Sequence, residues 1–195
     1  MYHNSILCII MCIFVETKTD KMKEYLELKD KANQNFITAT KMGDVRFHLL
    51  VILALETGAR VSDLLKIKAE DFTKENGVYY LSYYNTKGKK KQVQKVSEKT
   101  ALKVDMITNG ISTYGVFYNE SKGTIMSRIT ANRKCTALYG FNFHNLRKVA
   151  GKNVATQKGV VYASKFLGHS RVSTTDIYLG VSTDQFKKDM EDCII

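Results

Sequence analysis

GVYYLSYYNTKGKKKQVQKVS, Gly77 to Ser97, is where the hydrophobic period of this chain changes, and its reading decides the fold class. Val78 to Tyr84 is a Tyr-rich, β-prone run. A Gly-containing turn follows, then a second strand around Gln92 to Val96, so the stretch reads as a β-hairpin. On both sides the spacing is helical. Asp44 to Glu56 carries Val45, Leu49, Ile52, Leu53 and Leu55, which predicts a largely buried helix with Asp44 as N-cap and Gly58 as terminator. Glu16 to Asn35 is charged, with Met22, Tyr25, Leu26 and Leu28 at helical spacing, and reads as a surface helix. Further helices are expected at Ser62 to Lys68, Ala101 to Thr108, Thr124 to Tyr139, Asn145 to Thr156 and Val160 to Leu167. The expected class is mainly α with one small antiparallel sheet or hairpin.

The 195 residues suffice for one domain with a real core, and an apolar content of 44% excludes wholesale disorder. The net charge of +11 points to a polyanionic partner, and its distribution sharpens this. From Asn76 to Thr175 there are 17 Lys/Arg against Glu98, Asp105 and Glu120, while the remainder holds 13 Lys/Arg and 16 Asp/Glu. Basic charge gathered in one region is the footprint expected for nucleic-acid phosphates. The four cysteines (Cys8, Cys12, Cys135, Cys193) show no disulfide or paired metal-ligand spacing and read as free thiols in a reducing cytosol. Ile6 to Val15 is ten apolar residues, too short for a membrane-spanning helix, and is read as a buried strand or helix.

Four fragments carry candidate chemistry. In TGARVSDLL, Thr57 to Leu65, Arg60 lies where two helix ends meet, with Asp63 placed to hold its guanidinium; a structural Arg–Asp tie reads the fragment equally well. In FHNLRKVAG, Phe143 to Gly151, His144 and Arg147 share a helix face, as phosphate ligand and proton carrier or as an exposed basic face. NTKGKKKQVQK, Asn85 to Lys95, is a basic loop in which Lys87 or Lys89 is the candidate proton donor, the remaining lysines tracking phosphates. In LGHSRVSTTDIYLG, Leu167 to Gly180, Tyr178 is either a nucleophile with His169 beside its target or a tyrosine packing on a core. A phenol of pKa near ~10 needs nearby cations to react as phenolate, and two arginines on one phosphate would provide them. No metal cluster, P-loop or dinucleotide fingerprint is present in the sequence, so no cofactor is expected.

Taken in order, TGAR-V-S-D-L-L, a Lys-bearing hairpin, H-N-L-R, L-G-H-S and T-T-D-I-Y resemble the tyrosine recombinase, or phage integrase, family over Asp44 to Gly180. The resemblance implies a catalytic domain that cuts and rejoins DNA through a 3′-phosphotyrosine, without metal or ATP. It implies Tyr178 as nucleophile, Arg60 and Arg147 clamping the non-bridging oxygens, and Lys87 as acid for the departing 5′-oxygen. His144 assists proton transfer, His169 bonds the phosphate, and Asp63 supports the first arginine. Lys89, Lys90, Lys91, Lys148 and Arg171 are further candidates for DNA contact. The implied partner is double-stranded DNA, bound by a homotetramer on two sites, with an apolar tail, Phe186 to Ile195, docking in trans or capping its own fold. Residues 1–40 are expected to be an N-terminal extension rather than a full core-binding domain, and 41–195 the catalytic domain with its tail. Lys148 stands where a histidine is often found, and Phe143 precedes His144 without the usual proline. The reading is of a cytoplasmic, nucleoid-associated recombinase of a phage or mobile element. A type IB topoisomerase-like strand relaxase and a non-catalytic DNA-binding module are the alternatives.

Overall fold

The computed structural model describes residues 22–168, except 112, 114 and 120–122. Its organising element is the helix α2, Met42–Thr57, whose residues from Arg46 to Thr57 are all buried. A helix that is apolar on every side has to be central, and the others pack round it. It begins two residues earlier than expected. Asp44 lies in the first turn and pairs with Lys134, and Lys41 occupies the cap position without a side-chain bond. Gly58 terminates it as expected, in the left-handed conformation at φ 59°, its N–H bonded to the Ala54 carbonyl.

Before α2, residues 22–38 form α1. One face of it is solvated, but Tyr25, Leu28, Ala32 and Phe36 are buried and belong to the main core. A short α3, Val61–Leu64, follows α2 and stops well before Lys68. The Ile67 carbonyl accepts the Val116 N–H at 3.1 Å and Lys68 bridges to Gly115, which draws the chain away from helical geometry.

The hairpin is part of a three-stranded antiparallel sheet: β1 Phe72–Glu75, β2 Val78–Asn85 and β3 Lys90–Val96, in that order. β1 is an exposed, mostly polar edge (FTKE) and was not expected. Its turn had a local signal, Asn76-Gly77, both at positive φ (50° and 83°) between paired Glu75 and Val78, the two-residue hairpin that Asn-Gly favours. Across β2 and β3, Tyr79 faces Val96, Leu81 faces Gln94 and Tyr83 faces Gln92. The inward face thus mixes buried Leu81, Tyr83 and Val96 with buried Asn85 and Gln94. Buried amides need partners.

The rest is helical except for one small ribbon. α4, Glu98–Thr108, is capped by Ser97 and followed by left-handed Asn109. Tyr118–Asn119 (β4) pairs with Thr124–Ile125 (β5), so the helix expected from Thr124 starts only at Arg128, where the Ser127 hydroxyl accepts the Thr130 N–H at 3.1 Å. That helix, α5 (Arg128–Tyr139), ends at Gly140 as expected. α6, Phe143–Lys158, is capped by Asn142 and crosses α2; α7, Val160–Phe166, folds back on α6. Among the described residues no helix is long and apolar enough to cross a membrane.

Two buried polar clusters tie these elements. Glu56, 1% exposed, pairs with Lys29 of α1 at 3.0 Å and accepts both the N–H (3.0 Å) and the hydroxyl (2.7 Å) of Ser97. On the other side, Tyr139 of α5 bonds His48 of α2 at 2.6 Å and accepts the Asn35 amide of α1 at 3.2 Å. Burial pushes the Tyr139 hydroxyl up to about 12, so it stays protonated in this contact with the His48 ring.

Glu56→Ala would remove the buried ion pair with Lys29 and both hydrogen bonds from Ser97. We expect a loss of about 3 kcal/mol or more, read as a lowered urea midpoint. For His48, burial and then the Lys134 charge depress the imidazole pKa, with Asp44 opposing. The unfolded chain therefore binds the extra proton first as pH falls below the ordinary value of 6.5. The His48 contribution should be full above that pH and decline as the solution is acidified below it, and His48→Gln should flatten this part of the profile.

Candidate active site

The site grows out of helix ends. After Gly58 stops α2, Arg60 takes an extended backbone at the start of α3. Its Nη1 donates to Asn85 Oδ1 at 2.6 Å. Arg147, 8% exposed on α6, donates from Nη1 to the Gly58 carbonyl at 2.6 Å and from Nη2 to the Leu167 carbonyl at 2.5 Å. One planar guanidinium therefore joins the C-terminal end of α2 to that of α7, taking up carbonyls that the helices leave without partners.

Burial, and next the neighbouring Arg60 charge, pull the Arg147 guanidinium down to about 10, with Tyr83 and Asp63 acting in the opposite direction. Two guanidinium groups that destabilise each other's charge make a position where an anion is favourable. Asp63 does not hold Arg60 as expected. It is 3% exposed, and among the described residues neither carboxylate oxygen has a hydrogen-bond partner. Spacing put the two residues on neighbouring turns, but Arg60 runs toward the sheet while Asp63 lies in the field of Arg147 and Tyr83. The Tyr83 hydroxyl is pushed up to about 12, chiefly by burial.

Arg60, Lys87, His144 and Arg147 line one cavity of about 790 Å³. They come from α3's start, the β2–β3 turn and one face of α6, so segments up to 87 residues apart in sequence converge there. Lys87 lines the cavity, whereas Lys89, Lys90, Lys91 and Lys148 are exposed outside its lining. His169, Arg171 and Tyr178 lie outside the described residues. Arg128 and Arg133 of α5 also face the cavity and were not singled out from sequence; a helix with three basic and no acidic residues was the available signal. Among the described residues no group of three or more His, Cys, Asp or Glu could hold a metal ion.

The wall is held by polar side chains that sequence reasoning also missed. Asn85 Nδ2 donates to the Gly168 carbonyl at 3.3 Å, and Gln94 Nε2 donates to the Phe166 carbonyl at 2.8 Å. The Asn85 and Gln94 amides of the sheet thus find partners at the end of α7. Close approach needs glycine here. A Cβ on Gly58 would stand 2.4 Å from the Phe166 ring, and one on Gly151 would stand 2.8 Å from Leu167. Gly58→Ala combines that clash with left-handed backbone, and we expect a loss of at least about 2 kcal/mol, measured by thermal melting.

The chain matches the model of the phage integrase family over residues 21–185. It is 26% identical over 179 residues to tyrosine recombinase XerH of Campylobacter jejuni subsp. jejuni serotype O:2 (strain ATCC 700819 / NCTC 11168), covering 86% of this chain and 49% of that protein. The chain therefore spans about half the length of this curated relative. Among solved structures, XerH site-specific recombinase bound to difH substrate, in a pre-cleavage complex, superposes with a TM-score of 0.60 at 19% identity, over 86% of this chain and 50% of the other. The lambda integrase catalytic core superposes with a TM-score of 0.53 at 22% identity, over 76% of this chain and 93% of that one. The mainly helical fold with its small antiparallel sheet is that of tyrosine recombinase catalytic cores, and the chain belongs to the phage integrase family.

Proposed function

We propose that this chain is the catalytic part of a site-specific DNA recombinase, cleaving and rejoining strands through a 3′-phosphotyrosine on Tyr178. The observation that carries the reading is the convergence of Arg60, Lys87, His144 and Arg147 on one cavity. Arg60 and Arg147 hold the non-bridging oxygens of the scissile phosphate and stabilise the charge that develops as Tyr178 attacks. Lys87 delivers a proton to the departing 5′-oxygen, which would otherwise leave as an alkoxide. His144 takes part in proton transfer at the tyrosine, and His169 bonds the phosphate. Asp63 acts through Arg147, partly offsetting the burial of its charge. Lys89, Lys90, Lys91, Lys148 and Arg171 contact the DNA backbone outside the cleavage centre. The side chains alone supply the charge that the phosphate needs. The 5′-hydroxyl of a partner strand reverses the step, within a homotetramer on two DNA sites. The enzyme serves a phage or mobile element and works on the nucleoid in the cytoplasm.

The test is a nicked duplex carrying a candidate recombination site, such as any inverted repeat found in the DNA beside the gene. It should trap a covalent protein–DNA adduct with the wild-type chain and none with Tyr178→Phe; an adduct surviving that change would place the nucleophile elsewhere. Arg60→Ala should slow adduct formation about a hundredfold or more, equivalent to roughly 3 kcal/mol of transition-state stabilisation, while DNA binding is largely kept. Efficient relaxation of a supercoiled plasmid lacking any recombination site would favour a topoisomerase instead.

A further inference from the structure

Asn85 is the last residue of β2, 1% exposed, and its hydrogen bonds reach cavity-lining Arg60, the turn that carries cavity-lining Lys87, and the backbone at the end of α7. Its Oδ1 accepts the Arg60 guanidinium at 2.6 Å and the Gly88 N–H at 2.9 Å. Its Nδ2 donates to the Gly168 carbonyl at 3.3 Å. Guanidinium and backbone N–H are donors only, and a carbonyl is an acceptor only, so these partners fix which way the amide faces. Both acceptor positions of the oxygen are in use. The amide fits because both neighbours are glycines: a Cβ on Gly88 would stand 3.0 Å from Nδ2, and one on Gly168 2.7 Å from it.

We propose that Asn85 is the positioning residue of the phosphate clamp. It sets the direction of the Arg60 fork, the turn that carries Lys87, and the backbone immediately before His169, all through one side chain. The proposal rests on the recombinase reading for what the clamp is used for, but not for what it binds. Arg60 and Arg147 are close enough for their charges to oppose each other. An Arg60 side chain free to move would swing away from Arg147 when no anion is present. Asn85 holds one edge of the guanidinium by a neutral acceptor and leaves its remaining N–H groups for the cavity. A carboxylate at this position would hold Arg60 more tightly and would also neutralise it, competing with the phosphate for the same donors. Neutrality is thus part of the function of the residue, and Asn combines it with an acceptor for Arg60 and a donor for Gly168.

The experiment uses the full chain and inorganic phosphate, followed by NMR on the arginine side-chain N–H signals of Arg60 and Arg147. In the wild type both should shift saturably with phosphate. Asn85→Ala, which removes all three bonds, and Asn85→Asp, which keeps the acceptor and adds a charge, should each bind phosphate about tenfold more weakly or worse. Asn85→Asp preserves size and the bonds to Arg60 and Gly88 while replacing the donor to the Gly168 carbonyl by a charge, so it tests the need for a neutral amide even where Asn85→Ala does not fold. A purely structural Asn85 predicts wild-type phosphate affinity in any variant with a native-like spectrum. Affinities within twofold of wild type in the folded variants, or wild-type arginine signals indifferent to phosphate, would overturn the proposal. Failure of the recombinase reading looks different: phosphate binding and its dependence on Asn85 persist, and no Tyr178 adduct forms on the nicked duplex.

Discussion

A buried guanidinium with two carbonyls is the constraint on which this architecture turns. Arg147 reaches the end of α2 through Gly58 and the end of α7 through Leu167, and α6 carries the arginine itself. Three helices are therefore registered against each other at one side chain. The cost of burying that charge shows in a pKa drawn down to about 10. Helix C-termini carry partial negative charge, so the two carbonyls are better partners than isolated peptide groups. Gly58 and Gly151 are glycines because Phe166 and Leu167 press against their backbones, bringing the Leu167 carbonyl within reach of Arg147.

That arrangement also explains why the cavity is cationic without being solvated all round. Arg147 spends two N–H groups on the fold, and Arg60 spends one on Asn85. Both arginines line a space shared with Lys87, His144, Arg128 and Arg133. Asp63 tempers the repulsion without occupying either arginine, since its oxygens bond to neither. A carboxylate in direct contact would close the clamp on itself. In the proposed reaction, the phosphate supplies the missing charge.

Much of this fold was legible because the signals are local. Gly58 and Gly140 end helices where a left-handed residue is required, and the period change at Val78 marks the sheet. β1 was overlooked because its polar side chains carry no apolar alternation, although Asn76-Gly77 encodes the turn that makes it. The cavity-lining Arg60, His144, Arg147 and Lys87 could be read from motif order. Their supports could not. Asn85 and Gln94 look like ordinary polar strand residues until the end of α7, more than 70 positions later, meets their inward face. The partner of Arg60 was misread for the same reason: helical spacing says which residues are near one another, not which way an arginine at a helix start extends.

The last turn of α2 extends the argument beyond the cavity. Glu56 looks outward to Lys29 of α1 and to Ser97 at the start of α4, while Gly58, two residues on, offers its carbonyl to Arg147. Between them Thr57 bonds the Leu53 carbonyl at 2.6 Å and receives the Ala59 N–H at 3.2 Å, which closes the turn rigidly. A displacement of α1 acts on Glu56, and through that short stiff segment on the carbonyl that anchors Arg147 and on the backbone of Arg60. The buried face of α1, with Tyr25, Leu28, Ala32 and Phe36 in the main core, makes such a displacement costly. Helix α1 is thus part of the support of Arg60 and Arg147, although none of its residues lines the cavity.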